Sequence, residues 1–176
     1  MTTPLSRVRP RSSRRPTAAA ALGTTLTALT ALALAAPASA DPTGGADPGV
    51  DPAALHVLER TNAARAAAGC GPLVLDPALA AAAQQHTVEM AATGTMSHTG
   101  ADGSSPRTRL AAVGSFPVRT AENVAVGYDA DGVVAAWLAS PGHRANVLDC
   151  RLAAVGVAQA PGAVGTYWTQ VFAGWA

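Results

Sequence analysis

The chain has 176 residues, room for one ordinary domain, and 49% of them are hydrophobic, which excludes a disordered polypeptide. There is no lysine, and five of the twelve arginines fall within residues 1–15, ahead of all eleven acids. Residues 41–176 therefore set seven arginines against eleven acids, a formal charge of −4, which excludes a surface built to neutralise nucleic-acid phosphates.

Met1 to Pro16 is basic and acid-free, Ala18 to Ala36 is apolar, and Ala38-Ser39-Ala40 is a small-x-small cleavage signature. That order is the layout of a secretory signal peptide, residues 1–40, with cleavage expected after Ala40. The rival reading is an uncleaved anchor, since the apolar run is near spanning length, but Gly23 and several threonines weaken it. Arg14-Arg15 is followed by Pro16-Thr17 and not by a bulky apolar pair, so the general secretory route is expected over the twin-arginine route. No cysteine follows the apolar run closely, and no later stretch suits a membrane span, so a secreted, unanchored product is expected.

Residues 41–51 are rich in Pro, Gly and Asp and read as a flexible leader; residues 52–176 form the predicted domain. Asp51-Pro52 opens a helix that runs to Gly69, with Leu55, Leu58, Asn62 and Ala66 at helical spacing. Asp76-Pro77 opens a second helix to about Ala92, which places Leu79, Ala83, His86 and Met90 on one face. Ser97 to Pro106 is a polar loop and Arg107 to Val113 a short helix. Val118 to Gly127 is extended, Asp131 caps a helix through Val134, Trp137 and Leu138, and Ser140-Pro141 starts another with Ser140 as its N-cap. Ala154–Ala160 and Thr166–Phe172 read as strands joined by the turn Pro161-Gly162. Helices first and an antiparallel hairpin last imply an α+β layer fold.

Cys70 and Cys150 both lie in the exported part, where an even count favours a disulfide closing an 80-residue loop. Two free thiols are the alternative, but no histidine neighbours Cys70 in the chain. Familiar catalytic signatures are absent, and Asp129-Ala130-Asp131-Gly132 fails the ligand spacing of a calcium loop. Attention falls on the histidines. His98 lies in a polar loop, and His143 opens a helix whose dipole disfavours the imidazolium. Glu122 sits among apolar residues of a strand, where a carboxylate must be paired, hydrated or ligating. His86 reads as a hydrogen-bonded core histidine, His56 as surface, Trp137 and Trp168 as core, and Trp175 as an edge cover. The separations between His98, Glu122 and His143 are too long for local geometry to gather them.

From about Leu55 to the end the chain resembles the CAP superfamily, or SCP domain, of cysteine-rich secretory, antigen 5 and pathogenesis-related proteins. The resemblance rests on Asn62-Ala-Ala-Arg65, Leu73-Val-Leu-Asp-Pro-Ala-Leu79, Met96-Ser-His-Thr-Gly100, Ala121-Glu-Asn-Val124, Trp137-Leu-Ala-Ser-Pro-Gly-His-Arg144, Val155-Gly-Val157 and Tyr167-Trp-Thr-Gln-Val-Phe172, in that order. The wording Ser-Pro-Gly-His-Arg-Ala-Asn is similar to the bacterial secreted branch. The resemblance implies a three-layer α-β-α sandwich with a small antiparallel sheet between helices. It also implies a cleft lined by two histidines and two acids. His98 and His143 match the histidines and Glu122 the first acid; Ser140 stands where the second acid is expected.

The resemblance thus implies an extracellular binding or cell-envelope interaction module, monomeric, taking a lipid, protein or other extracellular ligand. His98, Glu122 and His143 would hold Zn²⁺ or another divalent metal, more weakly than a full tetrad would. Catalysis is not expected, for want of an activated nucleophile. The alternatives are a zinc-assisted hydrolase using the same cleft and a carrier of lipid or small apolar ligands.

Overall fold

A computed structural model describes residues 49–176; the predicted signal peptide and most of the leader lie outside the described residues. The chain order is α1 (Pro52–Ala67), β1 (Val74–Leu75), α2 (Pro77–Thr93), α3 (Pro106–Ala112), β2 (Arg119–Val126), α4 (Ala130–Ala139), α5 (Pro141–Val147), β3 (Ala154–Gly162) and β4 (Gly165–Gly174). Aspartate followed by proline starts both long helices. The Asp51 side chain accepts from Ala53 N, and that of Asp76 from Ala78 N and Leu79 N, so each satisfies N–H groups that the helix itself leaves open. Gly94, in the left-handed region at φ 68°, ends α2.

Two details at helix starts depart from expectation. Asp129, not Asp131, caps α4, its Oδ1 accepting from Gly132 N at 2.7 Å. Asp131 lies in the first turn instead and pairs with His56 Nε2 at 2.7 Å, tying α4 to α1. Ser140 does stand at the N-cap of α5, but its hydroxyl makes no capping bond. There Pro141 acts alone, breaking α4 from α5 at a single extended residue.

The sheet has four strands in the order β1-β3-β4-β2. β3 and β4 form the hairpin, longer than predicted: pairing continues through Pro161↔Thr166 to Gly162↔Gly165, so the tip is Ala163-Val164. β2 pairs antiparallel with β4, from Arg119↔Gly174 to Val126↔Tyr167. The sheet is mixed and not wholly antiparallel, because the two-residue β1 pairs parallel with β3. β1 is too short to show a period-two pattern, so only pairing discloses it.

Helices cover both faces of the sheet, giving the α-β-α sandwich. On one face α1, α4 and α5 pack Val57, Val133, Trp137 and Val147 against Val155, Trp168 and Phe172. On the other, α2 and α3 pack Leu79, Ala83 and Leu110 against Ala154, Ala158 and Val171. Alternation along β3 and β4 sends successive side chains into the two layers.

The buried stripe of α1 is Ala54, Val57, Thr61 and Arg65, one residue earlier than the apolar spacing predicted. Two of its members are polar, which hid it. Thr61 Oγ1 accepts from Gln170 Nε2 at 2.9 Å in β4. The Arg65 guanidinium donates to the carbonyls of Gly71, Val147, Asp149 and Leu152, gathering the chain around the Cys70–Cys150 disulfide. Burial lowers the Arg65 pKa and Asp149 nearby opposes this. The α2 stripe Leu79, Ala83, His86 and Met90 is buried as expected, as are Trp137 and Trp168. Trp175 is half exposed.

Candidate functional site

β2 is an edge strand, and the site is built around its free edge. Gly127 N–H bonds Thr166 O, so odd-numbered residues of this stretch turn their backbone toward β4 and even-numbered residues turn theirs outward. Three of the outward carbonyls are capped by side chains. Arg107 of α3 donates to Val118 O, Asn146 of α5 to Glu122 O, and Trp137 of α4 to Val124 O. Both helical layers thus reach over the same edge.

Glu122 points into the α2–α3 layer and is buried. Arg109 Nη2 donates to its Oε2 at 2.6 Å, and His98 Nδ1 lies 2.9 Å from its Oε1. A carboxylate oxygen accepts, so His98 carries a proton on Nδ1 and, when neutral, presents the Nε2 lone pair elsewhere. His98 is about half exposed, whereas Glu122 and Arg109 are almost fully enclosed. The loop that carries His98 is pinned by His86, whose Nε2 donates to Ser97 O at 2.7 Å. The core histidine is thus a support for the exposed one. Arg109 also donates to the carbonyls of His98 and Ser104, closing the same loop onto α3.

His143 comes from the opposite layer, on α5. Asn123 Nδ2 donates to its carbonyl at 3.3 Å and to Gln170 Oε1 at 3.3 Å, while Asn146 Nδ2 donates to Asn123 Oδ1 at 2.9 Å. This buried amide chain ties α5 to β2 and β4 and, through Gln170, to α1. The His143 ring itself makes no hydrogen bond among the described residues. Its pKa is lowered, first by burial and then by repulsion from His98. A neutral imidazole is what the sequence predicts there, and desolvation together with the second histidine favours it.

His98 and Glu122 are therefore in contact, and His143 lies within electrostatic range of His98. They open onto neighbouring concavities. His98 and Glu122 line a groove of about 610 Å³ with Arg107, Arg119 and Thr120. His143 and Ser140 line a smaller cavity of about 280 Å³ with Met96, Val126, Tyr128 and Trp137. Among the described residues, no three His, Cys, Asp or Glu side chains form a group able to hold a metal ion. Glu122 is buried against Arg109 and His98, so among the described residues of this site the two imidazoles are the more accessible donors.

Sequence reasoning missed Arg109, Asn123, Asn146 and Gln170. Three of them lie within or beside the stretches that carried the resemblance, yet residue type alone did not mark them as partners of the site. A buried arginine two turns from any acid in sequence gives no local signal; only the fold brings it to Glu122.

The family model of the cysteine-rich secretory proteins, CAP, matches residues 58–172. The chain belongs to the CAP family. The uncharacterized protein YkwD of Bacillus subtilis is 32% identical over 143 residues, which is 79% of this chain and 55% of that protein. The chain thus spans about half the length of that relative. Among solved structures, an extracellular SCP-domain protein from Bacillus anthracis is similar at 25% identity and TM-score 0.63, covering 69% of this chain and 40% of that one. An outer surface protein from Borrelia burgdorferi shares the fold at 21% identity and TM-score 0.63, covering 69% of this chain and 90% of its own.

Proposed function

We propose that this CAP protein is a secreted, extracellular binding module, in which His98 and His143 hold a divalent cation and Glu122 orients His98. The observation that carries the reading is the position of Glu122 between Arg109 and His98. A carboxylate fixed behind an imidazole fixes the ring's tautomer and directs its other nitrogen outward, as outer-shell partners of metal-binding histidines do. The lowered pKa of His143 favours the neutral ring that a metal requires. The signal-like residues 1–40 and the extracellular relative from B. anthracis support export.

The same pairing speaks against the hydrolase alternative. A general base must reach the attacking water, and the Glu122 side chain is only 2% exposed, with Arg109 and His98 against its two oxygens. With two protein donors the cation would complete its shell with solvent, so affinity should be modest. The Lewis acidity of a bound cation would serve to hold an anionic or carbonyl group of a ligand.

Calorimetric titration with Zn²⁺ tests the proposal. The wild type should bind one equivalent, and the His98→Ala/His143→Ala double variant none. Equal binding by the two proteins would remove the metal reading. Turnover of peptide or envelope substrates, abolished in His98→Ala, would restore the hydrolase.

A further inference from the structure

The free edge of β2 has one gap. The outward carbonyls at residues 118, 122 and 124 each receive a side-chain donor, from Arg107, Asn146 and Trp137. Thr120 lies in the same outward-facing series, and among the described residues no side chain caps it. Its hydroxyl Oγ1 is buried without a partner, as is the neighbouring Arg119 Nε. Both residues line the 610 Å³ groove beside His98.

The charges around this gap have a sign. Two acids line the groove, and each is already matched: Glu122 by Arg109, and Asp149 by Arg151 at 2.7 Å. Two arginines line it as well, Arg107 and Arg119; neither is within ion-pair distance of an acid among the described residues, and Arg119 feels Asp149 only at longer range. Arg107 is held in place by its bond to Val118 O. The groove therefore presents a net positive charge beside the single open strand residue, Thr120. An extended peptide satisfies both, because an added strand supplies the backbone partners and a carboxylate answers the arginines.

We propose that the groove binds a short extended peptide that pairs with β2 at Thr120 and places a carboxylate against Arg119 and Arg107. This deepens the binding-module reading and rests on it, but it does not require the metal. The carboxylate comes from an acidic side chain or from the peptide C-terminus, and the groove chemistry is the same for either.

The test is nuclear magnetic resonance titration of the ¹⁵N-labelled protein with a set of alanine-based pentapeptides. One carries a central Glu and an amidated C-terminus, one a central Gln and an amidated C-terminus, and one a central Gln and a free C-terminal carboxylate. At least one carboxylate-bearing peptide should shift the amides of residues 118–122, and which one does so identifies the source. The doubly neutral peptide should bind at least ten-fold more weakly. Arg119→Gln should weaken the charged peptide about ten-fold and leave the neutral one unchanged. Thr120→Pro removes an outward N–H without touching the β4 ladder, and should abolish the shifts while the remaining spectrum stays folded.

The His143→Ala variant, which removes a proposed metal donor outside the groove, should still bind peptide. That result separates failure of the metal reading from failure of this one. No shift at residues 118–122 with any peptide, equal binding of charged and neutral peptides, or shifts of the same size with inorganic phosphate alone would overturn the proposal.

Discussion

Glu122 shows how one residue's surroundings set what it can do. It is enclosed almost completely, and its charge is met by Arg109 inside the same layer. Breaking a buried pair from one side leaves the other charge stranded, which typically costs about 3–5 kcal/mol. Arg109→Leu should therefore lower the unfolding free energy measured in urea by that order, and Arg109→Leu/Glu122→Leu should recover a large part of it. A surface pair behaves differently. Asp149 is held at about 2, chiefly by the side-chain bond from Arg151. That folded value lies below the ordinary 3.8, so the pair's contribution is complete above about pH 4 and lost as pH falls through 2. In Arg151→Ala the Asp149 carboxyl should titrate back toward 3.8 by NMR; an unmoved titration would contradict the assignment.

At the scale of elements, the closest approach is between α2 and β3. A Cβ on Gly156 would run into the backbone of α2 at Leu79 and Ala80. The helix lies directly on the strand there, and neither backbone is a flexible side-chain end that can swing aside. Gly156→Ala should destabilise the domain by about 1–3 kcal/mol, the range for overpacking a well-filled interior. Thermal unfolding measures it, and an unchanged midpoint would show that α2 moves freely. α1 and α5 are joined in another way, through polar groups. Arg65 and the Gln170–Asn123–Asn146 chain satisfy buried carbonyls and amides across four elements, α1, β2, α5 and β4. Satisfied buried networks of this kind fix relative position more tightly than apolar contact, because each bond has a direction.

For the whole molecule, the Cys70–Cys150 disulfide closes an 80-residue loop that contains the site. Chain-entropy reasoning gives a stabilisation of about 4 kcal/mol for a loop of this length. Cys70→Ser/Cys150→Ser should lose stability of that order in urea unfolding, and reductant should shift the wild-type midpoint likewise. If both midpoints stay put, the crosslink is not a principal constraint.

Several features of the protein were set by the sequence on its own. Asp-Pro starts and apolar spacing located both long helices, with Gly69 as the stop of the first, since capping and periodicity act over a few residues. The strands of the hairpin and the central extended segment were legible for the same reason. The stretches in family order pointed to His98, Glu122 and His143 without any geometry. Tertiary structure decided the rest. The α1 core face, the parallel β1 and the Arg109–Glu122–His98 arrangement all depend on partners more than ten residues away. A polar residue becomes core only when a distant group satisfies it, and an edge strand has a free edge only once its sheet is assembled. Local sequence carries propensity; long-range contact alone determines which buried polar groups are paired and which backbone is left open.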